Sequence, residues 1–142
     1  MTERVLVAID DSTLGRDSLA YALDVFSDAR VTAVHVADPA LDMLPADAED
    51  VYETDPNSLN GVGDETAQTV FETIREVSGT TAVDVTYLVG PVEDRLVEYV
   101  EAGEFDHVVM GTHGRDGLSR LLIGSVAEAV VRRTEVPTVL VK

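Results

Sequence analysis

Apolar residues fall along the chain in short runs separated by stripes of helical spacing. Val5-Leu6-Val7-Ala8-Ile9 is near-continuous, the pattern of a parallel strand covered on both faces. Ser12 or Thr13 can cap the element that follows. In it Leu19, Ala22, Leu23 and Phe26 recur at i, i+3, i+4 and i+7, a helix with one apolar face. Val31 to Ala37 reads as a second strand. Residues 38–61 carry Pro39, Pro45, Pro56, Asn57, Asn60 and Gly61 with no clean period, and are expected to form an acidic loop with at most a helical turn. Ala67, Val70, Phe71, Ile74 and Val77 make a second helical stripe, closed by Gly79. Val83 to Val89 is a third strand, punctuated by Gly90-Pro91. Val92, Leu96, Tyr99 and Val100 form a third stripe ended by Gly103, and His107 to Met110 a fourth strand followed at once by Gly111. A loop runs to about Gly124. Val126, Ala129 and Val130 continue a fourth helix, stopped before Pro137, and Thr138 to Val141 is the last strand.

Strictly alternating strands and helices predict an α/β fold: one open five-stranded parallel sheet with helices on both faces, Rossmann-like. The 142 residues suit a single domain spanning 1–142, and no internal repeat is visible. Ligands of such sheets bind outside the carboxyl ends of the strands, where strand order reverses. That directs attention to Asp10 to Ser12, Val36 to Pro39, Gly90-Pro91 and Gly111 to Ser125.

Charge changes the picture more than hydropathy does. Twenty-seven Asp and Glu face ten Lys and Arg, a formal net charge of −17, and Lys142 is the only lysine. Repulsion of this size destabilises a compact state at low ionic strength, whereas at 1 M salt the screening length is about 3 Å. The acidity and the missing lysine therefore point to a halophile, and nucleic acid and anionic membrane are poor partners for such a surface. No apolar run approaches the length of a membrane span. The start, Met1-Thr2-Glu3-Arg4-Val5, enters a strand pattern without a secretory leader, so a cytoplasmic location is expected. The absence of cysteine excludes disulfides, thiolate zinc sites and cysteine nucleophiles. No Lys or Arg lies between Arg30 and Arg75, while Arg115, Arg120, Arg132 and Arg133 share a stretch holding only Asp116 and Glu128 as acids. An anion belongs in that locally basic segment.

The chemistry-bearing stretch is Gly111-Thr112-His113-Gly114-Arg115, continuing to Gly124-Ser125-Val126. Glycines allow close backbone approach and positive φ. Successive N–H groups form an anion nest, and a helix opening near Ser125 adds its unpaired N–H groups and positive dipole end. On the residues alone, a phosphate cradle and a packing turn both stand. The dinucleotide fingerprint Gly-x-Gly-x-x-Gly and the Walker A Gly-Lys-Ser/Thr are absent.

The spacing Gly111-x2-Gly114-x9-Gly124-Ser125 resembles the nucleotide-binding motif of the universal stress protein family. So does the text around it, Val-Val-Met-Gly-Thr-His-Gly-Arg, then Leu-Leu-Ile-Gly-Ser-Val-Ala-Glu-Ala-Val-Val-Arg, then Val-Pro-Thr-Val-Leu-Val. The opening Val5 to Ser12 and the His35-Val36 strand end are also similar, and the likeness is weakest over 38–65. The resemblance implies five parallel strands in order 3-2-1-4-5, a homodimer, and ATP binding in members that keep the motif. Carried over, Asp10 would contact the ribose or base, and Ala8 and Val36 would line the adenine pocket. Gly111, Gly114, Gly124, Ser125 and Val126 would hold the phosphates, with Thr112, His113 and Arg115 in the same turn.

Asp10 stands at a strand end and is read as a nucleotide contact. Asp10 and Asp11 together could hold Mg²⁺ alongside phosphate, or Asp11 could serve as an acid near a helix N-terminus. His35, His107 and His113 lack metal-site spacing. His35 and His107 are read as strand-borne residues with a hydrogen-bond partner, and His113 as a neighbour of the phosphates. The four tyrosines are too scattered for a stacking platform. The leading expectation is an ATP-binding regulatory module of the stress response, dimeric through its apolar C-terminal edge strand, with ATP bound alone or as its Mg²⁺ complex. No activated nucleophile or poised general base is visible. The rival readings are a slow ATPase and a nucleotide-free dimeric interaction module. An adenylating enzyme is disfavoured because Ala8-Ile9-Asp10-Asp11-Ser12 lacks the glycines of a pyrophosphate loop.

Overall fold

The computed structural model describes residues 2–114 and 123–142. Strands β1 (Arg4–Ala8), β2 (Arg30–Ala37), β3 (Val51–Thr54), β4 (Val83–Val89), β5 (His107–Gly111) and β6 (Thr138–Val141) form one sheet in the order β3-β4-β2-β1-β5-β6. The helices are α1 (Thr13–Val25), α2 (Glu65–Ser78), α3 (Val92–Ala102) and α4 (Ser125–Arg133). None among the described residues is long and apolar enough to cross a membrane.

The near-continuous apolar runs are explained by a sheet covered on both faces. Successive side chains of a strand point to opposite sides. Val5 and Val7 accordingly pack into the layer beneath α1 and α2, with Leu19, Ala22, Val70, Phe71 and Ile74. Leu6 between them packs into the layer beneath α3 and α4, with Leu96, Val97, Val100, Ala127 and Val130. The same split separates Val109 from Val108 and Met110, and Val139 and Val141 from Leu140. Each large side chain fully buried this way is worth about 1.5–3 kcal/mol.

Helix ends follow their sequence signals. Ser12 caps α1, accepting from the Gly15 N–H, and Asp64 caps α2, accepting from the Ala67 N–H. Gly79 closes α2 at φ 55°, in the left-handed region. Pro91 immediately precedes the first turn of α3, where its missing N–H costs nothing.

The five strands expected from the sequence pair in parallel and in the expected order. The sheet is nonetheless six-stranded and mixed, which corrects the five-stranded parallel expectation. The additional strand, β3, runs antiparallel to β4 at the edge, within the segment read as an acidic loop; it pairs Val51 with Tyr87 and Thr54 with Val85, with a register shift between. Its own pattern is poor, since Tyr52 and Glu53 are both exposed. Distant side chains hold it instead. The Asp50 carboxylate accepts from the Val89 N–H at 2.8 Å and pairs with Arg95. The Glu53 N–H donates to Thr86 Oγ1 at 3.0 Å, and the Glu53 carboxylate pairs with Arg4 and Arg30.

Candidate functional site

The carboxyl ends of β1, β2 and β5 meet the N-termini of α1, α3 and α4 around a cavity of about 520 Å³. This is where the connections leaving β1 and β5 part to opposite sides of the sheet, the position at which open α/β sheets bind ligands. Ala8, Val34, Val36, Met110 and Ala127 supply apolar lining, and the volume suits a small molecule.

Asp10 follows β1 directly. Its Oδ1 accepts from the Ser12 N–H at 3.0 Å and from the Ser12 hydroxyl, which in turn accepts from the Gly15 N–H at 3.1 Å. The first turn of α1 thereby fixes the carboxylate. Gly15 makes this possible, because a Cβ there would lie 2.7 Å from the Asp10 carbonyl oxygen.

The motif glycines serve by absence of bulk. A Cβ at Gly111 would lie 2.7 Å from Leu14 Cβ, one at Gly114 2.6 Å from Asp10 Oδ2, and one at Gly124 3.2 Å from His113 Cα. Positive φ among the described glycines occurs at Gly61, Gly63, Gly79 and Gly90, so the positive φ suggested for glycines of this stretch is not adopted at Gly114 or Gly124, nor at Gly111. Close packing of β5, the β1 loop and the entrance of α4 is what excludes a side chain at these positions.

The turn after β5 is tied at both ends. The Thr112 N–H donates to the Val141 carbonyl at 2.9 Å, and the Gly124 N–H returns to the Thr112 carbonyl at 2.6 Å. Gly124 is the N-terminal cap residue of α4 at φ −66°, and being glycine it supplies no side-chain cap. Its first-turn N–H groups and positive dipole end therefore open beside Ser125 at the cavity wall.

Ala8, Asp10, Val36, Gly111, His113, Gly114, Gly124, Ser125 and Val126 are thus brought together around one cavity. Thr112 is not on its wall; its side chain is buried, with Oγ1 3.2 Å from His113 Nδ1. Arg115 lies outside the described residues. Asp11 is exposed and does not line the cavity. Sequence reasoning did not single out Gly15, Leu41, Asp42 or Thr66, which also line it. Only Gly15 carried a local signal, a glycine inside the first turn of a helix.

His35 sits in the wall, buried, with Nδ1 3.1 Å from the Ile9 carbonyl. A carbonyl only accepts, so Nδ1 carries the proton and Nε2 is the free acceptor. Burial lowers its pKa below the ordinary 6.5, against the raising influence of the Ile9 carbonyl and of Asp42, Asp10 and Asp64. His107 lies instead at the start of β5, against Phe26, with Nε2 3.7 Å from Glu3.

The cavity rim is acidic. Asp38, Asp42, Glu93 and Asp94 join Asp10, with Asp94 bound to Arg133 at 2.9 Å. Among the described residues, no group of three His, Asp or Glu side chains is arranged to hold a metal ion.

The family model of the universal stress proteins matches residues 1–142. The chain belongs to the universal stress protein family. Universal stress protein MJ0531 of Methanocaldococcus jannaschii is 29% identical over 142 residues, covering 99% of this chain and 82% of that protein. Among solved structures, the protein MJ0577 superposes with a TM-score of 0.71 at 24% identity, covering 100% of this chain and 96% of that one. A universal stress protein in complex with cAMP superposes with a TM-score of 0.63 at 20% identity, covering 99% and 96%. At these identities the superpositions establish the α/β fold.

Proposed function

We propose that this chain is an ATP-binding regulatory module of the stress response, working by nucleotide-dependent conformation rather than by turnover. The observation that carries the reading is the convergence of Asp10, the motif glycines and the glycine-capped N-terminus of α4 on one cavity at the strand ends. That combination supplies a carboxylate for ribose or base hydroxyls and amines, apolar walls at Ala8 and Val36 for adenine, and backbone N–H groups for phosphate. A family structure holding cAMP supports an adenine nucleotide as the ligand class. Arg115 and His113 complete the phosphate end in this reading. With no three-ligand protein cage among the described residues, Mg²⁺ would be held through the nucleotide's own phosphates, whose charge it would offset. Titration calorimetry with ATP in molar KCl tests the proposal.

The module would work in a cytoplasm of molar salt, as a two-fold dimer joined along β6. The charge of −17 supports the first point. The second is supported by the position of β6, which ends the sheet with Val139, Leu140 and Val141 only partly covered.

A further inference from the structure

The cavity is walled by anions. Asp10, Asp38, Asp42, Glu93 and Asp94 line it, and among the described residues no Lys or Arg does. Asp94 is held by Arg133 at 2.9 Å. Glu93, half-buried in the first turn of α3, has a carboxylate with no hydrogen bond or ion pair to any described residue. Even with Arg115 at the phosphate end, as in the reading above, carboxylates outnumber it on the wall. His35, in the same wall, senses their field: burial lowers its pKa, and the charges of Asp42, Asp10 and Asp64 act against that. The chain as a whole adds a net charge of −17. A cavity of about 520 Å³ is roughly 10 Å across, so its wall carboxylates lie within about one screening length of a bound phosphate at 0.1 M salt. At 1 M the screening length is about 3 Å, and a charge on the far wall lies well beyond it.

We infer that ionic strength regulates this cavity: salt strengthens nucleotide binding, and does so the more, the more phosphates the nucleotide carries. The inference rests on the nucleotide reading of the cavity and adds the sign of its salt dependence. The α4 N–H groups and the apolar walls act on a ligand at contact distance, and screening leaves them intact. The wall carboxylates act across the cavity, and screening removes their repulsion. Low salt therefore disfavours the phosphates and leaves an uncharged nucleoside unaffected. Glu93 is the lever of this effect, because no described cation offsets its charge.

The test titrates ATP, AMP and adenosine, without Mg²⁺, into the parent and Glu93→Gln between about 0.1 M and 1 M KCl. Circular dichroism sets the lower limit at the lowest KCl where both chains are folded. For the parent, ATP affinity is expected to rise about 10- to 100-fold with KCl, AMP affinity by less, and adenosine affinity by no more than about 2-fold. Glu93→Gln should bind ATP more tightly than the parent at the low-salt end and show a shallower rise. Equal changes for ATP and adenosine would trace the effect to folding or apolar contact and overturn the inference. ATP affinity that is flat or falls with KCl, with adenosine bound, overturns it and leaves the nucleotide reading intact, as does a rise that Glu93→Gln leaves unchanged. Failure of the folded parent to bind any adenine compound at any KCl overturns both.

Discussion

Gly114 passes so close to Asp10 that a Cβ on it would lie 2.6 Å from Asp10 Oδ2. The two residues come from the loops after β5 and β1, and both line the cavity. Gly114→Ala must turn the Asp10 carboxylate away, breaking its bonds to the Ser12 N–H and hydroxyl. A loss of about 1 kcal/mol per hydrogen bond is expected. The same substitution in an Asp10→Ala background should cost almost nothing further. Urea unfolding of the four proteins of this cycle measures the coupling, and additivity within about 0.3–0.5 kcal/mol would show that the two residues do not interact.

Salt should strengthen the fold. Raising KCl from about 0.1 M to 1 M shortens the screening length from about 10 Å to 3 Å, and a chain of −17 benefits from the loss of self-repulsion. Thermal melts should show the midpoint rising across this range. A flat or falling midpoint would remove the halophilic reading.

His35 makes stability depend on pH in a defined direction. Its pKa is lowered in the folded state, so between the folded value and the ordinary 6.5 the unfolded chain binds the proton and the folded chain does not. Stability therefore rises with pH there. The contribution is full above 6.5 and is lost as pH falls below it towards the folded value. His35→Gln retains a donor for the Ile9 carbonyl and removes the titration. It should flatten the decline in urea-unfolding free energy below pH 6.5 relative to the parent. An unchanged slope would mean that His35 does not titrate differently on folding.

Much of the fold was legible because a parallel strand buried on both faces writes an apolar run such as Val5 to Ile9, and an amphipathic helix a stripe such as Ala67 to Ile74. The edge strand β3 was not. Two of its four residues face solvent, and it is held by Arg4, Thr86, Val89 and Arg95, which lie 33 to 49 positions away in the hydrogen bonds concerned. No local pattern encodes such ties. At the site, the spacing of Gly111, Gly114 and Gly124 pointed to a segment that lines the cavity and suggested close ligand approach and positive φ; the structure shows no positive φ there, and close packing against Leu14, Asp10 and His113 instead. Leu41, Asp42 and Thr66 reach the cavity only through tertiary structure, from a loop and the start of α2.

The β6 edge leads to a test of assembly. Leu140 packs towards α3 and α4 and is only partly covered in the single chain. Leu140→Asp is expected to give a monomer or an unfolded chain, read by sedimentation and circular dichroism. A variant that stays dimeric and stable would place the interface elsewhere.

The most direct measurement of the central claim is titration calorimetry of ATP, with Mg²⁺ in molar KCl, into the parent, Ser125→Ala and Gly124→Val. A site built of backbone N–H groups is not removed by deleting one hydroxyl, so Ser125→Ala should weaken binding about 5- to 100-fold. At Gly124 an added side chain meets His113 Cα at 3.2 Å and the Thr112 carbonyl oxygen at 3.3 Å, both backbone atoms that cannot swing aside. The account predicts saturable binding of one ATP per parent chain and almost none to folded Gly124→Val. ATP binding by folded Gly124→Val as tight as the parent's, or no binding by the parent, would contradict it.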